Sequence, residues 1–272
     1  MSNEQIPVIA LHCSGASGGQ WRKLAAALGS RYEVIAPSLI GCGDSGAWSG
    51  EHGFTLADEA RGIVELVDAL SEPVHLIGHS YGGGVALNVA AARPGAVASL
   101  ALYEPSAFHL LKQFGPRARR ELAEIETIAA VMRAGVVSGA YQSAAAAFVD
   151  YWNGEGAWEA LRPDVRNGLV RWLPKAPLDF RALLEDDTPI ASYRRITGPV
   201  SILCGEHALP PSRLIAEELA VALPNSTLEI VPGAGHMGPV THTADVYARL
   251  SKHIHLADGA RGAERAAETI AA

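Results

Sequence analysis

Short runs of near-continuous Val, Ile and Leu alternate along the 272-residue chain with longer stretches in which apolar residues recur at helical spacing. The short runs fall at 7–12, 32–36, 74–78, 98–103, 199–204 and 227–231, each closed by Gly, Pro or Ser. Strands buried on both faces of a sheet read this way, without the in–out alternation of a half-solvated strand. Helical spacing marks 20–28, 56–70, 81–93, 212–223 and 244–255. Within 56–70 the residues Leu56, Ala60, Ile63, Val64, Val67 and Leu70 share one stripe; Thr55 stands at the N-cap position, and Asp58 and Glu59 lie in the first turn, where the helix dipole favours acids. Alternating strand and helix predicts an α/β fold with a doubly wound, mostly parallel sheet.

The alternation stops between about 106 and 196. That stretch has no strand signal. It is Ala-rich and helical over 117–137 and 140–152, is then punctuated by Pro163, Pro174, Pro177 and Pro189, and holds Trp152, Trp158 and Trp172, three of the five tryptophans. It reads as a helical insertion over one edge of the sheet. The predicted organisation is a core of residues 1–105 and 196–257, an insertion of 106–195, and a polar, Ala/Gly-rich tail of 258–272 that frays.

Composition narrows the classes. Apolar residues are 49% and charged residues 19% of the chain, with 28 Gly and 16 Pro, which excludes a coiled coil, a collagen-like repeat and a disordered chain. A net charge of -7 gives a polyphosphate little to hold, so no nucleic-acid partner is expected. The three cysteines, Cys13, Cys42 and Cys204, make no C-x-x-C pair and no disulfide framework; they read as reduced thiols of a cytoplasmic protein. The start lacks the basic segment and apolar run of a signal peptide, no stretch is long and apolar enough to span a bilayer, and Asn225-Ser-Thr reads as a plain turn.

The sharpest chemical signal is Gly78-His79-Ser80-Tyr81-Gly82, set between an apolar strand and an Ala-rich helix. A tight strand-to-helix turn strains the serine backbone and lifts its hydroxyl clear of the sheet. The flanking glycines let strand and helix pass closely, and the helix N-terminus favours a developing anion. Ser80 is the candidate nucleophile. A serine hydroxyl is not ionised at neutral pH and needs an imidazole; His236, in the Gly-rich loop after the last strand, is the candidate base. His79 is expected to pack beneath the nucleophile, His12 to brace the first loop, and His242, His253 and His255 to lie on a surface helix.

Four segments together carry a family likeness: Leu11-His12-Cys13-Ser14-Gly15 followed by Trp21, residues 36–45, residues 78–83, and Gly233-Ala234-Gly235-His236. In order and spacing the chain resembles the α/β-hydrolase family, in particular its small serine esterase-like members, over residues 6–104 and 196–255. The resemblance implies an α/β-hydrolase core with a variable cap at 106–195, and no N-terminal antiparallel hairpin ahead of the first strand. It implies an oxyanion hole of two backbone N–H groups, from Tyr81 and Ser14. Cys13 stands where the family usually has Gly, and is not expected to act as a nucleophile.

Where the family usually carries the triad's aspartate, after the strand at 199–204, this chain has Ala208. Some branches take the acid from the end of the preceding core strand, which makes Glu104 the first candidate; Glu206 and no acid at all are the alternatives. Asp44 is expected to hold its own loop through hydrogen bonds. The two G-x-G-x-x-G matches, at 41–46 and 233–238, lack a βαβ context, and no phosphate-loop or zinc-protease motif is present, so no cofactor and no metal are called for. The expectation is a hydrolase of a small, largely apolar ester or related acyl compound, its partner a small-molecule substrate. Phe108, Phe148, Tyr151, Trp152 and Trp172 are candidates for the pocket wall. The alternatives are a thioesterase, amidase or carbon–carbon bond hydrolase, and a non-catalytic ligand-binding protein on the same scaffold. A serine rather than a carboxylate in the elbow disfavours haloalkane dehalogenation.

Overall fold

All six apolar runs form strands: β1 (Ile6–Leu11), β2 (Tyr32–Ile35), β3 (Val74–His79), β4 (Val97–Tyr103), β5 (Val200–Gly205) and β6 (Ser226–Val231). A computed structural model describes residues 5–271, with side chains through residue 263. The strands join into one sheet in the order β2-β1-β3-β4-β5-β6, and every neighbouring pair is parallel. β3, β4 and β5 are buried throughout, whereas the edge strand β6 keeps exposed positions. Continuous apolar runs belong to the centre of such a sheet because helices cover both faces.

The helices on those faces are α1 (Leu24–Leu28), α2 (Leu56–Asp68), α3 (Tyr81–Ala92), and, after the insertion, α10 (Pro210–Ala222), α11 (Gly238–Thr241) and α12 (Thr243–Ala271). Two apolar layers result. One packs α2, α3 and α10 on the sheet through Ile63, Val67, Val85, Val89, Ile215 and Leu219. The other packs α1 and α12 through Leu24, Leu28, Val246, Leu250 and Ile254. α2 begins with a capping box: Thr55 accepts from the Asp58 N–H while the Asp58 carboxylate accepts from the Thr55 N–H.

Several expectations change. The continuous helix expected over 20–28 is a 3-10 turn (Gly18–Trp21) followed by α1. The break places the Gln20 amide under the first loop, where Oε1 accepts from the Cys13 N–H (3.1 Å) and Nε2 reaches His79 Nδ1 (3.0 Å). Residues 258–271, expected to fray, continue α12; Asp258 pairs with Arg31 (2.6 Å) and accepts from the Tyr32 hydroxyl (3.3 Å). His253 is also not a surface residue: its imidazole is largely buried, while His255 is exposed.

The insertion comprises α4 (His109–Gln113), α5 (Arg119–Ser138), α6 (Tyr141–Asn153), α7 (Ala157–Ala160), α8 (Pro163–Trp172) and α9 (Ala176–Glu185). Its prolines start helices as well as separate them: Pro163 and Pro177 lie in first turns, where the missing N–H costs nothing. Expected over a sheet edge, the insertion instead lies over the carboxyl ends of the central strands, with Trp152 of α6 stacked on the His236 ring. The sheet's order reverses at β1 and β3, and in open α/β sheets ligands bind at the carboxyl end beside such a switch point. Ser14 follows β1 there, and Ser80 follows β3.

Candidate active site

Ser80 occupies the turn between β3 and α3 with φ of 53°, in the left-handed region that side chains avoid. The surroundings hold it there. Its N–H donates to the Tyr103 carbonyl (3.0 Å), and its own carbonyl accepts from the N–H groups of Gly83, Gly84 and Ser106 (2.8, 3.1 and 2.9 Å). The flanking glycines are required by close approach. A Cβ on Gly78 would meet the Gly82 carbonyl oxygen at 2.5 Å, and one on Gly82 would meet the Leu11 and His12 carbonyl oxygens at 2.5 Å. Tyr81 is the first residue of α3, so its N–H has no acceptor within the helix.

Three groups far apart along the chain meet here. Ser80 Oγ lies 2.8 Å from His236 Nε2, and His236 Nδ1 lies 2.7 Å from Glu104 Oε2. With Nδ1–H donated to the carboxylate, Nε2 is left to accept the serine proton. Glu104 has φ of 41°, the second of two positive values among the described non-glycine residues. That turn at the end of β4 swings its carboxylate over β5, where Oε1 accepts from the Gly205 N–H (2.9 Å). Glu206 is engaged elsewhere: its carboxylate accepts from the Gly233 N–H (2.7 Å) on the exposed side of the loop. Ala208 contributes no polar side chain.

Two further histidines, His12 and His79, are braces with both ring nitrogens assigned. Leu39 N–H donates to His12 Nε2 (2.9 Å), so His12 Nδ1 donates to the Cys13 carbonyl (2.8 Å). His79 Nε2 donates to the His236 carbonyl (2.8 Å), and its Nδ1 accepts from Gln20. Burial pulls both imidazoles below the ordinary histidine value, well below it for His79, so each stays neutral. Burial pushes the Cys13 thiol up to about 12, which leaves no thiolate for nucleophilic chemistry. Asp44 accepts a hydrogen bond from Ser38, which holds its carboxyl below the usual range.

Ser80 opens onto a narrow cavity of about 10 Å³, whose wall includes Ser14, Phe108, Phe148 and Trp152. Trp172 stands behind Phe148 (ring centroids 5.0 Å apart), and Tyr151 turns away to donate to Glu124 (2.8 Å). A wider cleft at the opposite, amino ends of the strands, lined in part by Pro94, Val97, Thr197 and Arg261, has no serine, cysteine or histidine in its wall.

Several residues of the site escaped the sequence reading. Ser106 Oγ lies 3.2 Å from Ser80 Oγ; with the Ser80 proton directed at His236, Ser106 is the donor. Beneath Tyr81 lies a buried ionic group: Lys175 Nζ contacts Glu59 Oε2 (2.9 Å) and Asp179 Oδ1 (2.6 Å), and the Tyr81 hydroxyl donates to Glu59 Oε2 (2.6 Å). Glu59 also accepts from the Ile40 N–H (2.8 Å), and Asp179 from Trp172 Nε1 (3.0 Å). Burial pushes the Asp179 carboxyl up to about 6 against the pull of Lys175. The signal for this group was available. Glu59 lies three residues after Leu56 and four before Ile63, on the apolar stripe itself, where a carboxylate requires a buried partner.

A parallel, doubly wound sheet that presents a strained serine at its switch point to an imidazole from the loop after the last strand is the architecture of an α/β-hydrolase. Sequence comparison places the chain in that family: the model of the Alpha/beta hydrolase family matches residues 8–250, and the protein is a hydrolase. The chain is 31% identical over 252 residues to a protein of Variovorax paradoxus named "Putative carbamate hydrolase RutD", covering 85% of this chain and 84% of that one. Among solved structures it superposes on an enol-lactonase from Burkholderia xenovorans (TM-score 0.74, 19% identity, 94% of each chain). It also superposes on a thermophilic esterase from Thermogutta terrifontis (TM-score 0.70, 19% identity, 93% of this chain and 90% of that one).

Proposed function

We propose that this hydrolase cleaves small, largely apolar esters and related acyl compounds through an acyl-enzyme on Ser80, with His236 as general base and acid and Glu104 as the third member of a triad. The observation that carries the reading is the pair of contacts from Ser80 Oγ to His236 (2.8 Å) and from His236 to Glu104 (2.7 Å). Ser80 Oγ attacks the carbonyl carbon as His236 Nε2 takes its proton, and the carbonyl π electrons move onto oxygen. The N–H groups of Tyr81 and Ser14 receive that oxyanion. The tetrahedral intermediate collapses, the leaving group takes the proton from Nε2, and an ester bond to Ser80 remains. Water then gives a proton to Nε2, adds to the acyl carbon, and releases the acid as Ser80 recovers its proton.

The alternative of a scaffold without chemistry rested on Ala208. A carboxylate from Glu104 on Nδ1 supplies what Ala208 lacks, and removes that ground. The Variovorax relative favours extending the reading to carbamates, whose carbonyl is open to the same attack. The test is hydrolysis of p-nitrophenyl acetate and of a phenyl carbamate by the wild type and by Ser80→Ala. Turnover by the wild type and its loss in the variant are expected; equal rates in both would remove Ser80 from the chemistry.

A further inference from the structure

One carboxylate in the cavity wall has no part in the acyl-transfer steps. Asp179, on α9 of the insertion, lines the same cavity as Ser80 and is almost fully buried. Its neighbours in the wall are of two kinds: hydroxyls from Ser14 and Ser106, and the apolar faces of Phe148, Phe180 and Leu183. A carboxylate set among aromatic rings loses its hydration, and nothing in acyl transfer requires one there.

We infer that Asp179 is a specificity-determining residue, which selects acyl substrates bearing an O–H or N–H donor and turns away those bearing a carboxylate. The inference rests on the serine-hydrolase reading and refines its substrate class. Two observations support it. The first is spare acceptor capacity: Lys175 engages Oδ1 and Trp172 engages Oδ2, while the Tyr81 hydroxyl gives its one proton to Glu59. A carboxylate offers about four acceptor positions, so about two remain open to a donor inside the cavity.

The second is charge. No lysine or arginine lines the cavity, and the cation beneath it, Lys175, is shared between Glu59 and Asp179. Two carboxylates against one ammonium leave the group negative. An anionic substrate would meet like charge with no counter-ion, whereas a neutral donor would meet an anchored acceptor. The anchoring matters because Lys175 and Trp172 hold the carboxylate in place, so little ordering is left for the substrate to impose.

The experiment compares three esters of similar size on the wild type: methyl 3-hydroxypropanoate, methyl butanoate, in which a methyl replaces the hydroxyl, and the anion of monomethyl succinate. Each kcat/KM is divided by that ester's alkaline hydrolysis rate constant, to remove intrinsic reactivity. A hydrogen bond to a charged acceptor predicts the hydroxy ester about tenfold or more above methyl butanoate, with the succinate ester below both. In Asp179→Asn the hydroxy-to-alkyl ratio falls by about tenfold and the penalty on the succinate ester shrinks. A wild-type ratio near one overturns the inference even where the variant does not fold, and so does a ratio that Asp179→Asn leaves in place. If the wild type cleaves none of the three and Ser80 takes up no fluorophosphonate, the underlying acyl-enzyme reading fails instead, and the inference falls with it.

Discussion

Two sets of buried imidazoles lie at opposite ends of the same sheet, and they are held differently. At the carboxyl ends of the strands, His12, His79 and His236 have a hydrogen-bonding partner on each ring nitrogen, which fixes tautomer and orientation. Towards the amino ends, His75 bonds Ser99 through Nδ1 (2.8 Å), while the Nε2 of His75 and that of His253 have no partner. Burial pulls both down to about 4. The first set is built for geometry and the second only packs. A ring that must take a proton at one nitrogen needs the other held; a ring that fills space needs only to stay neutral.

The largest way to break this contrast is at Ser80. Ser80→Ala should lower kcat by on the order of 10⁴–10⁶ with the fold kept, read by ester turnover beside circular dichroism. A loss of less than tenfold would mean that the fixed ring serves no reaction at Ser80. Next comes the carboxylate. Glu104→Gln keeps the shape but offers His236 Nδ1 an amide, and should cost about 10²–10⁴ in kcat. Wild-type turnover there would move the third role to another residue, and the same variant at Glu206 would then be the one to measure.

The packed set predicts stability rather than rate. An unfolded histidine takes up a proton near 6.5, whereas His75 and His253 take theirs up only near 4 in the folded protein. The unfolded state therefore binds more protons between those values. Stability is full above about pH 6.5 and falls as pH drops towards 4, by about 3 kcal/mol per imidazole. Denaturant titrations across that window check the slope, and His253→Leu should flatten it; an unchanged slope in that variant would assign the acid sensitivity to other groups. The smallest effect sharpens the contrast at the site. Gln20→Ala removes the donor to His79 Nδ1 and the acceptor for the Cys13 N–H, and should cost about tenfold in kcat while leaving the pH dependence of stability in place. An effect on that pH dependence equal to that of His253→Leu would erase the distinction between the two ends.

The fold was legible because its signal is local and repeated. Six apolar runs separated by helical stripes leave a buried parallel sheet as the economical solution, and each run became a strand within a residue or two of its expected ends. At the site, the elbow around Ser80 was legible because steric demand restricts the two glycines to glycine. Glu104 was named through an absence at Ala208. Its geometry depends on a positive φ that no local signal announced, since a glutamate carries no preference for it. Asp179 and Ser106 were missed because they reach the cavity only through the placement of the insertion, which non-local packing decides. Glu59 was missed for a different reason: the stripe on α2 was counted by its apolar members, and the charged member on the same face was read only as a first-turn acid.

The central claim is that His236 makes the Ser80 hydroxyl reactive, and covalent labelling tests it most directly. A fluorophosphonate should add one phosphonyl group per chain, mapped by peptide mass spectrometry to Ser80, with labelling slowed by at least about a hundredfold in His236→Ala. A wild-type protein that stays unlabelled, or that carries the adduct on another residue, would contradict the account.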